Sequence, residues 1–350
     1  MTALTMSARP DEDAGLSPVP WRQMAWVTWR QHRMMLAGVA VVLGALAVTL
    51  LIAGLRLHHA FAAAVACRPV ASLACNDLVD AFNSMNGFLA NGYILQAVPA
   101  LIGAFAGAPV LARELETGTF RYAWTQGFGR WRWALAKLVP LAVAVAVAAG
   151  ALSLLSAWYY QPYFAANNLN LSLASTPSLD SGTFGIHGIA FGAWTLAAFA
   201  IGALAGMLIR RVVPAIAATL AVYIGLGAAA ALYLRPHYLT PVLARNVFSP
   251  PPSASWVSQW WTKGGRRQSP FAMNRIYDQL VPGVSSKAQK VHEFYQVVPR
   301  YLTRHGYTEW TRYQPGSRFW PFQLIEGGGL IVLSALLIAA AVWLVRRRAA

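Results

Sequence analysis

Residues Arg113–Lys137, RELETGTFRYAWTQGFGRWRWALAK, lie between two long apolar runs. Glutamates, arginines and tryptophans crowd a connector too short to be a domain. Apolar runs on either side that are long enough to cross a bilayer make it a loop in water between two crossings. A loop of this chemistry suits docking by a partner in the aqueous phase. Working outward from it gives the fold class.

The 350 residues are 57% hydrophobic and 11% charged, with a mean hydropathy of +0.45. A soluble domain carries roughly a quarter charged residues, so the chain is an all-α integral membrane protein. Six stretches are long enough to cross about 30 Å of hydrocarbon, at 35–56, 93–112, 134–158, 187–209, 212–234 and 324–345. Pro99 and Pro109 interrupt the second, which neighbouring helices can tolerate by satisfying the freed backbone groups. The fourth and fifth meet at Arg210-Arg211, ahead of Pro214, as a tight hairpin.

Orientation follows from Lys and Arg in the short connections. With the amino terminus inside, inner segments hold fourteen of them, and the short outer loops hold only Arg56 and Arg68. Both termini are then cytoplasmic. The formal charge of +16 is spread over span ends and one long loop. It forms no basic run beyond Arg346-Arg347-Arg348, so nucleic acid is not a partner; the lipid bilayer is.

Residues 1–20 read as a disordered cytoplasmic tail without an apolar signal core. Residues 21–34 mix Trp and Arg as an interfacial amphipathic helix does, the alternative being an extension of the first span. Spans one to five occupy 35–234, with the connector at 113–133. Outer loop 57–92 holds Cys67 and Cys75. On an oxidising side these suit a disulfide; two unpaired thiols are the alternative. His58 and His59 lie near, but the close spacing of zinc ligands is missing.

Segment 235–323 is a small extracytoplasmic insertion before the last helix, and 324–350 is the last helix with a basic cytoplasmic tail. In the insertion, Ser286-Lys287-Ala288-Gln289 has capping-box spacing and opens a helix through Tyr295. Trp256, Trp260, Trp261, Phe271, Tyr277, Phe294, Tyr301 and Trp310 are candidates for its core. Asp278, Glu293 and Glu309 are scattered, and His292 and His305 have no nucleophile at motif spacing. No catalytic, metal or cofactor site is read from the chain.

The G-x-x-x-x-G-K-[ST] phosphate loop is missing from the sequence. Ionisable residues are nearly absent from the spans, with only Glu326 and His187 near ends, so ion coupling has no membrane-depth groups to work with. If the chain moves anything uphill, the energy must come from another subunit. In the connector, Phe120, Trp124 and Trp131 recur at helical spacing after Gly118, an aromatic stripe that a groove on a partner grips. An aromatic belt with inner positive charges accounts for the same residues without a partner.

The stretch Arg113-Glu114, Glu116-x-Gly118-Thr119, Trp124-Thr125-Gln126, Arg130 and Lys137 resembles the second-to-third-span connector of type-2 ABC transporter permeases. Residues Tyr313–Glu326, YQPGSRFWPFQLIE, resemble the approach to the last span in actinobacterial members. The resemblance implies an exporter permease in the plasma membrane, paired with a second permease, as homo- or heterodimer, and with cytoplasmic ATPase subunits that bind the ATP. It implies a coupling role for Glu114, Glu116, Gly118, Thr119, Trp124, Gln126 and Arg130, and no enzyme activity in this chain. A receptor or scaffold sensing through 235–323 is the alternative. The cargo is not legible.

Overall fold

The computed structural model describes residues 20–68, 73–85, 92–119, 130–167, 169, 173–180, 182–246, 254–282 and 297–348. Six helices in it are long and apolar enough to span a membrane. Helix α1 (Trp21–Ala66) is followed by a short α2 (Leu73–Ser84). The second span is α3 (Tyr93–Ile102), a π-helical turn (Gly103–Gly107) and α4 (Ala108–Thr117). Helix α5 (Arg130–Ala166) is the third and α6 (Ile189–Ile209) the fourth. The fifth runs from α7 (Val212–Ala229) through a second π-helical turn (Ala230–Leu234) into α8 (Arg235–His237).

Both π-helical turns have one cause. Pro109 and Pro236 have no N–H to return to the carbonyl four residues back, and each helix loosens just ahead of its proline. The preceding amide reaches one residue further instead: Ala108 N–H bonds Gly103 O, and Arg235 N–H bonds Ala230 O. The breakers are absorbed as bulges, and both spans continue.

Residues 21–34 differ from the expected separate interfacial helix. They are the first turns of α1, which is unbroken over 46 residues. Neither Gly nor Pro interrupts the stretch from Trp21 to Ala37, so the backbone ladder has no reason to stop. At 1.5 Å per residue α1 is about 69 Å long, more than twice the hydrocarbon thickness. Helix α5 likewise outruns its expected limits of 134–158.

Helix α6 is the centre of the bundle, hydrophobic all round as a buried helix should be. Its packing on the second span is backbone to backbone. A Cβ on Gly103 would sit 2.6 Å from Ala198 O, and one on Gly107 would sit 2.5 Å from Phe199 O. Reciprocally, Gly202 lies against Gly103 O and Gly206 against Ala108 O. Small residues on both faces allow this approach.

Segment 235–323 contains an antiparallel sheet in the order β1-β4-β2-β3. Its strands are β1 (Val242–Arg245), β2 (Ser255–Lys263), β3 (Arg266–Arg267) and β4 (Tyr307–Gln314). Gly264 and Gly265, at φ 56° and 78°, make the two-residue turn between β2 and β3 that needs both residues left-handed. Helices α9 (Pro270–Leu280) and α10 (297–304) cover one face, around Trp261, Met273, Val281, Val298 and Leu302. Phe271, expected in this core, is 71% exposed, because it follows the helix-opening Pro270 on the outer face. The expected helix from Ser286 to Tyr295, with Phe294, lies outside the described residues. The last helix, α11 (Phe319–Arg348), begins five residues ahead of its expected start.

Candidate functional site

The connector emerges from the end of α4. Gly118, at φ 72°, caps that helix in the left-handed conformation, a geometry glycine adopts without steric cost. The hydroxyls of Thr117 and Thr119 share a 3.1 Å hydrogen bond just beyond it. Residues 120–129, with Trp124 and Gln126, lie outside the described residues. Arg130 is the first residue of α5.

The two connector glutamates are committed within the bundle. Glu114 forms an ion pair with Lys137 of α5, and Lys137 is buried, its ammonium also 4.6 Å from the Trp133 ring centroid. A charge at this depth is tolerated because it is paired. Glu116 reaches the other way, its Oε2 accepting the Val212 N–H at 3.0 Å. A carboxylate there satisfies a free amide at the start of α7 and faces the positive end of the helix dipole. The second, third and fifth spans are thus tied together at one end by two carboxylates two residues apart.

Helix α1 joins the same end. Thr28 Oγ1 donates to Ala136 O at 3.1 Å. Trp21 packs edge-on against Trp131 at 6.2 Å, with the Arg132 guanidinium 5.1 Å from the Trp21 ring. Trp131, read from the sequence as part of an exposed aromatic stripe, therefore has a partner inside the chain. Glu114, Glu116, Gly118 and Thr119 stand together on this end.

The opposite end holds a buried polar cluster that the sequence did not disclose. Glu326 of α11 accepts Arg235 Nε and an Arg235 terminal nitrogen, both at 2.8 Å. It also accepts Trp194 Nε1 at 2.6 Å and the Tyr238 hydroxyl at 3.1 Å. Gln323, one turn earlier, accepts the Ala190 N–H and donates to Phe184 O. Glu326 was visible as a lone acid near a span end. The missed signal was Arg235 at the end of the preceding span, which a 235–323 insertion with close-set ends brings alongside. A cavity of about 410 Å³ adjoins the cluster, bounded by Asp180, Phe184, Arg235, Ser255, Gln314 and Phe322.

Cys67 and Cys75 are joined as a disulfide, Cα to Cα 5.6 Å, tying the end of α1 to α2. His58 stacks on Trp158 and bonds its carbonyl at 2.9 Å. Among the described residues no group of His, Cys, Asp and Glu is arranged to hold a metal ion.

A model of the family described as ABC-2 membrane transporter related matches residues 40–235, more than half of the chain. The match begins within α1, runs through the connector, and ends at Arg235, where the fifth span meets the insertion. Searches among curated proteins and among solved structures each gave no match.

Proposed function

The chain belongs to the ABC-2 membrane transporter related family, and from that premise we propose that it is the permease subunit of an ATP-driven exporter, coupled to a separate cytoplasmic ATPase. As a member it is a multi-pass membrane protein of a transport system. The finer reading takes the amino-terminal, connector-bearing end as cytoplasmic and residues 113–133 as the ATPase-docking segment. Glu114, Glu116, Gly118, Thr119, Trp124, Gln126 and Arg130 have the coupling role, and a second permease completes the transporter.

One observation carries this reading. The carboxylates of Glu114 and Glu116 bind the second span to the third and fifth at the mouth of the connector. A push on that segment would be delivered to three spans at once through short, charged links. Chains of packed and charged contacts of this kind can carry coupling to a remote hydrolysis step. A belt of interfacial aromatics needs no such links.

The test is co-purification of the full chain with a cytoplasmic ABC ATPase co-expressed with it. Trp124→Ala is expected to lower ATPase recovery by about tenfold or more, the scale of losing an aromatic anchor, with insertion in the membrane unchanged. Unaltered recovery and unaltered transport in this variant would overturn the docking role.

A further inference from the structure

Helices α1 and α5 run side by side and are pinned together at two heights. Near the connector end the Thr28 hydroxyl bonds Ala136 O. Further along, Gly54 lies against the Trp158 ring and His58 bonds the Trp158 carbonyl. Between these clamps alanines face one another, set among Met34, Leu36, Val39, Leu43 and Val145. Ala37 and Ala40 on α1 look across to Ala144 and Ala148 on α5, and the space they fail to fill is an apolar crevice of about 640 Å³. Ile102 of α3 also lines it. The crevice is partly open to the surface of the bundle.

Its polar groups are confined to one end. Trp29 and Arg33 stand at the rim nearest the connector. Arg33 is exposed, and no carboxylate among the described residues pairs with it. A slot with alkane-like walls and a single cationic mouth beside an indole matches an acyl chain below an anionic headgroup. Its volume is within the range of about 300–1,000 Å³ typical of ligand sites.

We propose that this crevice is a binding site for an anionic phospholipid, one acyl chain lying along the alanines and the phosphate resting on Arg33. Bound lipid would fill the gap between the clamps and wedge α1 against α5. The site needs only that its cationic mouth sit at headgroup level, and it does not depend on an ATPase partner.

The experiment uses the full chain in nanodiscs of mixed phosphatidylglycerol and phosphatidylcholine, each in turn carrying a photoreactive acyl chain. Cross-linked peptides are expected to map to 34–43 and 144–148, with phosphatidylglycerol preferred. Ala40→Phe, which fills the slot, should abolish those cross-links. Arg33→Ala should cut the preference by about fivefold, the worth of one interfacial cation, while Arg33→Lys retains it. Recovery of folded protein from size exclusion controls for misfolding, and Arg33 is exposed enough for its variants to fold. Equal labelling by the two lipids, or labelling spread along α1 and unaffected by Ala40→Phe, overturns the proposal. So does an Ala40→Cys variant that cross-links copy to copy in high yield, which would make the crevice a seat for a second chain. None of these readouts involves ATPase, so they stand whatever the fate of the coupling role.

Discussion

Glu309 shows how a residue's environment sets its chemistry. It is buried in β4, its Oε1 held by Gln259 and Thr311, and its Oε2 has no hydrogen-bond partner among the described residues. Burial raises its pKa above the ordinary carboxylate value, and the Gln259 and Thr311 bonds offset part of that rise. Below about pH 4.3 the folded and unfolded carboxyls are both protonated, and the group does not affect stability. As pH rises, the unfolded carboxyl ionises first, so the sheet loses stability until the raised folded value is passed. Thermal melts of the insertion's tryptophan signal should therefore weaken across that window, and Glu309→Gln should flatten the dependence. An identical pH profile in the variant would refute it. Glu326 has the opposite hydrogen-bond pattern: four donors from three residues satisfy both oxygens of its carboxylate, so the bundle can bury it.

At the scale of elements, the second span and α6 meet where neither can yield. Gly202 and Gly206 lie on the backbone of Gly103 and Ala108, so a new side chain has no flexible neighbour to displace. Overpacking costs about 1–3 kcal/mol where side chains can shift, and here only whole helices can. Gly202→Leu with Gly206→Leu should lower the melting temperature in detergent clearly and reduce folded yield. Gly225→Ala, at a site with no described residue within 4 Å of the added Cβ, should leave both unchanged. An unchanged melt in the leucine pair would show that this contact does not hold the bundle. Apolar length made both helices legible in sequence. Their pairing was not legible, because small residues on a helix face serve equally between two copies of a chain.

For the whole molecule, the orientation proposed from the basic residues has a direct check at the disulfide. With the amino terminus cytoplasmic, Cys67 and Cys75 face outward. An impermeant maleimide on intact cells should label them only after reduction, and Cys75→Ser should leave Cys67 reactive without it. Labelling by permeant reagents alone, even after reduction, would invert the protein and remove the docking segment from the cytoplasm.

The six spans, the hairpin at Arg210-Arg211 and the family resemblance of the connector were determined by the sequence itself. Hydrophobic length is a local property, and a bilayer demands it of every crossing. Only the tertiary structure decided that Glu114 takes Lys137 and that Glu116 caps α7. It alone joined Glu326 to Arg235 across 91 residues. It also decided that the prolines end as π-helical turns rather than breaks, and that the insertion holds a sheet. Partner choice in a charged pair depends on which helices become neighbours. That is settled by packing over the whole bundle, and no local stretch of sequence records it.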